Sequence, residues 1–190
     1  MKLIINFLVN LFIKLIFRIK IYGSENILSG PLILCINHSS NFDPLVLRTK
    51  INREINFLAK KELFNNKILG FLLKKFGVIS VDRNKNDLMA YKQVIKNLKD
   101  GKLIGIFIEG TRKKNHDLAQ AKNGAAMFAI KTSSPIIPVA IKSNFKLLSV
   151  VEINIGKPIY FDLDKKKIDH ESLNTATSKI TDEIKFLLGE

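Results

Sequence analysis

The chain has 190 residues, 46% of them hydrophobic, with 31 Lys and Arg against 17 Asp and Glu for a formal charge of +14. That length accommodates one domain with a sizeable core, and that hydrophobic share excludes a disordered chain. The single cysteine, Cys35, excludes an intrachain disulfide, and three scattered histidines offer no zinc-ligand spacing, so no metal is expected.

Residues 2–19 read KLIINFLVNLFIKLIFRI. The polar residues Lys2, Asn6, Asn10, Lys14 and Arg18 each follow the last by four, and every other position is Leu, Ile, Phe or Val. In a helix a step of four winds about 40° past a full turn, so the five side chains form one slowly turning stripe beside a broad apolar face. A cleaved signal peptide needs small residues at its cleavage site, and Ile19-Lys20-Ile21-Tyr22 has none. A spanning helix needs about 20 mostly apolar residues, and here Lys14 would sit near mid-membrane. A helix lying in the interface, with Lys and Arg at the headgroups, fits better. Burial against the domain or a partner is the competing reading. The expected division is a membrane-associating helix over residues 1–20 and one domain over 21–190.

A short strand is predicted at 18–22 with a turn at Gly23, and a second turn at Ser29-Gly30. The apolar run Pro31-Leu32-Ile33-Leu34-Cys35-Ile36 reads as a buried strand, with Cys35 a packed hydrophobe within it. The loop Asn37-His38-Ser39-Ser40-Asn41-Phe42-Asp43 leaves that strand, and a short helix begins at Asp43-Pro44. Strands follow at 54–59, 77–81, 103–108, 136–141 and 150–155. Helices are predicted at 63–76, 85–98, 124–131 and 169–188. The helix at 63–76 is expected to pack on the core, with contact to a bilayer as the alternative. Apolar strands alternating with helices indicate an α/β fold: a single domain whose mainly parallel central sheet is flanked by helices.

Sites in such sheets gather at the carboxyl ends of strands. Three polar clusters occupy that kind of position: His38 to Asp43, Asp82-Arg83-Asn84, and Glu109-Gly110-Thr111-Arg112. A histidine can exchange a proton near neutral pH, and a carboxylate can hold its ring in one tautomer. No nucleophile elbow of the G-x-S-x-G type is present, so the simplest use of His38 with Asp43 is to deprotonate a substrate hydroxyl. Capping of the helix at Pro44 is the plainer use of the same two residues. Arg83 and Arg112 can each grip a phosphate through two parallel hydrogen bonds. Glu109 would repel phosphate if it faced it, and so is expected to orient an arginine or accept from a substrate hydroxyl. Gly110 lets backbone approach a ligand, and Lys122 can add a positive charge.

Charge is unevenly distributed. Residues 1–161 carry 26 basic and 10 acidic residues, a balance of +16, whereas 162–190 carry 5 and 7, a balance of −2. The basic part is suited to anions: phospholipid headgroups, an acidic carrier or nucleic acid. No nucleic-acid motif or aromatic-interleaved basic stripe is present, which leaves nucleic acid outside the expected partners.

The ordered motifs resemble those of the glycerolipid acyltransferases, the lysophosphatidic acid (1-acylglycerol-3-phosphate) acyltransferases and their relatives. Asn37 to Asp43 resembles their H-x4-D motif, and residues 77–84 their second motif with its Arg at Arg83. Phe107-Ile108-Glu109-Gly110-Thr111-Arg112 resembles F-P-E-G-T-R, Lys122-Asn123-Gly124-Ala125 resembles K-x-G-A, and Pro135-Ile136-Ile137-Pro138-Val139 their proline-containing fourth motif. The resemblance covers residues 31–141. It implies a glycerol-3-phosphate acyltransferase-like fold and transfer of a fatty acyl group from acyl-CoA or acyl carrier protein, as co-substrate, to a lysophospholipid hydroxyl. No cofactor is implied. His38 would be the base and Asp43 its partner. Arg83, Glu109, Gly110, Thr111, Arg112 and Lys122 would be associated with binding of the acceptor phosphate, and the protein would work at a phospholipid membrane, on its cytoplasmic face. Ile108 stands where the family usually has Pro, and Lys113 where it often has Ser. Other acceptors (glycerol-3-phosphate, an amino lipid, another lysolipid) and a membrane-bound acyl hydrolase are the alternative activities.

Overall fold

The computed structural model describes residues 2–85, 87–109, 121–165 and 167–190. Among them seven strands form one sheet: β1 (Arg18–Tyr22), β2 (Leu32–Ile36), β3 (Ile55–Lys60), β4 (Ile79–Val81), β5 (Leu103–Phe107), β6 (Ile136–Lys142) and β7 (Val150–Ile155). Their spatial order is β1-β7-β6-β2-β5-β3-β4. Strands β6, β2, β5, β3 and β4 are mutually parallel; β7 runs antiparallel to β6, and β1 lies parallel to β7 at the edge. The expectation of a mainly parallel α/β sheet is met.

Six helices of the described residues connect and cover the sheet: α1 (Lys2–Ile16), α2 (Asp43–Lys50), α3 (Lys67–Lys75), α4 (Leu88–Lys99), α5 (Gly124–Thr132) and α6 (His170–Leu188). Central strands buried on both faces explain the unbroken apolar runs in β2 and β6. One core layer joins Ile13 of α1 and Phe17, just after it, to Val46 and Leu47 of α2 and to Leu34, Ile55 and Ile137 of the sheet. The other joins Val94 of α4, Phe128 of α5 and Ile180 of α6 to Ile33, Cys35 and Ile104. Chain direction accounts for the split. The sheet order advances one way through β2, β3 and β4, and returns through β5 and β6, and right-handed crossovers then place α2 and α3 on one face and α4 and α5 on the other.

The strand predicted at 18–22 is β1 (Arg18–Tyr22), and the N-terminal helix stops at Ile16, ahead of these residues. Pairing with β7 captures them: Arg18 donates its backbone N–H to Ser149 O at 3.0 Å. The helix expected over 63–76 is divided into a 3-10 turn, Lys61–Phe64, and α3, whose N-cap Asn66 accepts from Ile68 N and Leu69 N. Packing was also expected for this segment, yet Leu63, Ile68, Leu69 and Phe71 are exposed and only Gly70 is fully buried in α3. A Cβ at Gly70 would lie 2.6 Å from Phe64 O, so the close approach of α3 to the 3-10 turn requires glycine there.

No helix of the described residues is long and apolar enough to cross a membrane. The orientation of α1 is unusual for a soluble protein. Asn6 and Asn10 are half-buried against the domain, while Leu3, Ile4, Phe7, Leu8, Leu11, Phe12 and Leu15 point outward. A surface helix in water shows the reverse arrangement.

Candidate active site

The loop leaving β2 is held at both ends. Asn37 is fully buried, and its side chain makes two hydrogen bonds with the backbone of Ile141. Nδ2 donates to Ile141 O at 3.0 Å, and Ile141 N donates to Oδ1 at 2.8 Å. The amide thus continues the β2–β6 ladder one residue beyond the strand. It meets the hydrogen-bonding requirement of a buried peptide that would otherwise lack a partner.

Next in sequence, His38 Nδ1 lies 2.8 Å from Asp43 Oδ2. The same oxygen accepts Ser39 N at 2.9 Å and Ser40 N at 2.8 Å. A carboxylate oxygen can only accept, so this bond is assigned to the imidazole's Nδ1–H as donor, the third hydrogen that Oδ2 accepts. In the neutral imidazole that tautomer leaves the Nε2 lone pair available. The Asp43 side chain is 0% exposed and that of His38 15%, so the carboxylate is enclosed while the imidazole reaches solvent. Asp43 is the first residue of α2, followed by Pro44, but the N-cap is Phe42 and no side chain caps the helix. The plainer capping reading is therefore not met: the Asp43 carboxylate is turned back to the Ser39 and Ser40 amides and the imidazole.

Glu109, at the carboxyl end of β5, is 4% exposed, and its Oε1 accepts the backbone N–H of His38 at 3.2 Å. It orients the histidine loop rather than presenting itself to solvent. Phe107 stacks on the imidazole, with centroids 4.0 Å apart. Phe42, also on the loop, meets Phe17 edge-on at 5.2 Å, and Phe17 meets Phe145 at 5.5 Å. This aromatic cluster ties the end of α1 to the site.

A cleft of about 630 Å³ lies between the sheet and α4 and α5. Its wall includes Leu58, Val81, Val94, Ile106 and Phe128, and Arg83, Lys85 and Lys122 border it together with Asp82 and Asp87. Phe107 is the shared residue: it is part of the cleft lining, and its ring stacks on the imidazole of His38. Desolvation pulls the Arg83 guanidinium below its ordinary value, while Glu62 opposes that shift. The group stays cationic, since arginine is not deprotonated in proteins. Burial pushes the Cys35 thiol well up, which suits a packed hydrophobe and not a nucleophile.

The structure thus brings together His38, Asp43 and Glu109, and places Arg83 and Lys122 together on the cleft lined in part by Phe107. Gly110, Thr111 and Arg112, and with them Lys113, lie outside the described residues. Three contributors escaped the sequence reading: Asn37 as a backbone mimic, Phe107 as the ring support, and Lys85 on the cleft. An Asn directly after a buried apolar run was the available signal for the first.

Residues 18–142 match the protein-family model described as Acyltransferase. A 1-acyl-sn-glycerol-3-phosphate acyltransferase of Bacillus subtilis is 36% identical over 151 residues, covering 75% of this chain and 74% of that protein. The protein of the same name from Borreliella burgdorferi is 31% identical over 176 residues, covering 88% and 70%. The crystal structure of the 1-acyl-sn-glycerophosphate (LPA) acyltransferase from Thermotoga maritima superposes with a TM-score of 0.71 at 22% identity, over 98% of this chain and 80% of that one. At that identity the likeness is one of fold.

Proposed function

The chain belongs to the acyltransferase family, and as an O-acyltransferase of that family we propose that it acylates the free hydroxyl of 1-acylglycerol-3-phosphate to give phosphatidic acid. The observation that carries the mechanism is the 2.8 Å bond between His38 Nδ1 and Asp43 Oδ2 at the carboxyl end of β2. With Nδ1–H engaged, Nε2 takes the acceptor's hydroxyl proton as the oxygen attacks the acyl carbonyl carbon. Asp43 stabilises the imidazolium that forms. Collapse of the tetrahedral intermediate expels the donor's thiolate, and the imidazolium returns the proton to the sulfur. The ester bond forms, the thioester bond breaks, and His38 ends neutral.

The donor is acyl-CoA or an acyl carrier protein. Arg83 and Lys122 on the cleft, together with Gly110, Thr111 and Arg112 of the loop after β5, are proposed to hold the acceptor phosphate. Glu109 supports the His38 backbone. The apolar interior of the cleft suits an acyl chain, and its cationic border suits phosphate.

The outward apolar side of α1 supports attachment at the cytoplasmic face of a phospholipid membrane, where the acceptor resides. A 15-residue helix is about 22 Å long against a hydrocarbon core of about 30 Å, which favours lying in the interface over crossing it.

The test is turnover by the purified chain with each donor and a panel of acceptors: lysophosphatidate, glycerol-3-phosphate and other lysolipids. Phosphatidate is the expected product, and His38→Ala is expected to abolish it. A His38→Ala protein that keeps most of its rate overturns the assignment of the base. Preference for another acceptor overturns the substrate, and fatty acid released without an acceptor makes the protein a hydrolase.

A further inference from the structure

We infer that α3, with the 3-10 turn before it, is a second lipid-contacting element that seats the protein on anionic phospholipid beside α1. This extends the interfacial reading of α1 but stands on different residues. Ile68 is 77% exposed and Phe71 56%, and Gly70 is the one fully buried residue of α3. At helical spacing Ile68, Phe71 and Lys75 share one stripe, and Lys75 Nζ stands 5.6 Å from the Phe71 ring centroid. Lys67 and Lys74 are exposed on the flank of that stripe; at its start, beside Leu63, Lys60 pairs with Glu62 at 3.3 Å and Lys61 with Asp82 at 3.9 Å. An apolar stripe bordered by lysines matches the acyl and headgroup layers of an anionic interface.

Position in the fold makes the match a joint one. Arg48 of α2 reaches both neighbours: its Nε donates to Asn6 Oδ1 of α1 at 3.4 Å, and its guanidinium lies 4.3 Å from the Phe76 ring at the end of α3. Helices α1 and α2 pack on one face of the sheet, and Arg48 links them to the end of α3, so that α2 stands between two helices whose apolar residues point away from the domain. The 3-10 turn follows β3 directly, at the carboxyl end of the parallel strands where His38, Arg83 and Glu109 sit. A bilayer contacting both helices would meet the protein along the site end of that face.

The experiment uses the full chain and sedimentation with two vesicle types, phosphatidylcholine alone and phosphatidylcholine with phosphatidylglycerol. Three variants are compared: Ile68→Ser with Phe71→Ser, Lys67→Glu with Lys74→Glu, and Phe7→Ser with Leu8→Ser as the α1 control. The first is expected to lower partition onto mixed vesicles about tenfold. The second is expected to lower it on mixed vesicles and leave phosphatidylcholine binding unchanged. Both should keep native turnover on detergent-dispersed substrate, which shows that they fold. As a second measurement, Phe71→Cys carries an environment-sensitive fluorophore; the native Cys35 is 0% exposed and does not compete for label. A blue shift on mixed vesicles is expected.

Native partition of the Ile68→Ser/Phe71→Ser protein together with an unshifted label overturns the inference. If the α1 control loses binding in that case, the α1 reading still stands. If instead the control binds normally while the α3 variant does not, α3 is upheld and the α1 reading fails. A label shift produced by an acidic carrier protein and not by vesicles overturns the lipid assignment and makes α3 a protein-docking surface.

Discussion

The ring of Phe107 lies 4.0 Å from the imidazole of His38, centroid to centroid, with the planes 26° apart. Phe57 backs Phe107 in turn at 5.7 Å and 13°. Gly105 makes this stack possible, because a Cβ there would fall 2.5 Å from Phe57 Cδ1 and 2.6 Å from Cε1. Gly105→Ala is expected to displace Phe57, then Phe107, then the imidazole. Thermal melts should show a loss of about 1–3 kcal/mol, the usual cost of overpacking. Steady-state kinetics should show kcat falling with little change in KM. An unchanged kcat would dissociate the stack from the chemistry.

Asn37 offers a second test of positioning. Replacing it with Leu leaves the N–H and C=O of Ile141 buried without these partners. Each orphaned group costs about 1–3 kcal/mol, so a drop of several degrees in Tm is expected. Asn37→Leu should also lower kcat, because His38 is the next residue. Asn37→Asp restores one acceptor and no donor, and should fall between the two in a melt.

Glu109 acts on the His38 backbone through one oxygen, so a neutral acceptor should serve it. Glu109→Gln is expected to retain substantially more activity than Glu109→Ala. If both variants are equally inactive, the negative charge itself is required, and the role assigned from the 3.2 Å bond is insufficient.

Asp87 ties the Arg83 loop to α4. Its Oδ1 accepts Ala90 N and Met89 N as the helix cap, and its Oδ2 accepts Asp82 N. The Ala90 and Asp82 amides hold the carboxyl below its ordinary value of 3.8. A group depressed on folding stabilises the protein fully above that ordinary value, and the contribution is lost as pH falls through the lower folded value. The Tm of the native chain should therefore exceed that of Asp87→Asn above about pH 4, with the gap closing as pH falls further. A gap that widens on acidification would contradict the assignment.

Much of this was legible in the chain itself. The strand ending at Ile36, the helix opening at Asp43 and the His38–Asp43 spacing follow from an apolar run and a proline, which act locally. The strand order was not legible, because pairing is decided between residues far apart, such as Leu34 with Gly105 and Ile137. Glu109 was read as a ligand for arginine or a substrate hydroxyl, and only the sheet reveals that β5 brings it under the His38 amide. The apolar residues of α3 were read as core because periodicity measures which residues share a face, not which way that face turns.

The Phe17–Phe42–Phe145 cluster joins the end of α1 to the His38 loop through rings in direct contact. On the proposed seating, that contact works as a depth gauge. Once α1 settles at a given level in the interface, the reactive imidazole is fixed at a set height above the acyl layer. A hydroxyl is then chosen by its elevation in the headgroup region as well as by its chemistry. The search for it takes place by lateral diffusion in two dimensions, without the lipid leaving the sheet of its neighbours.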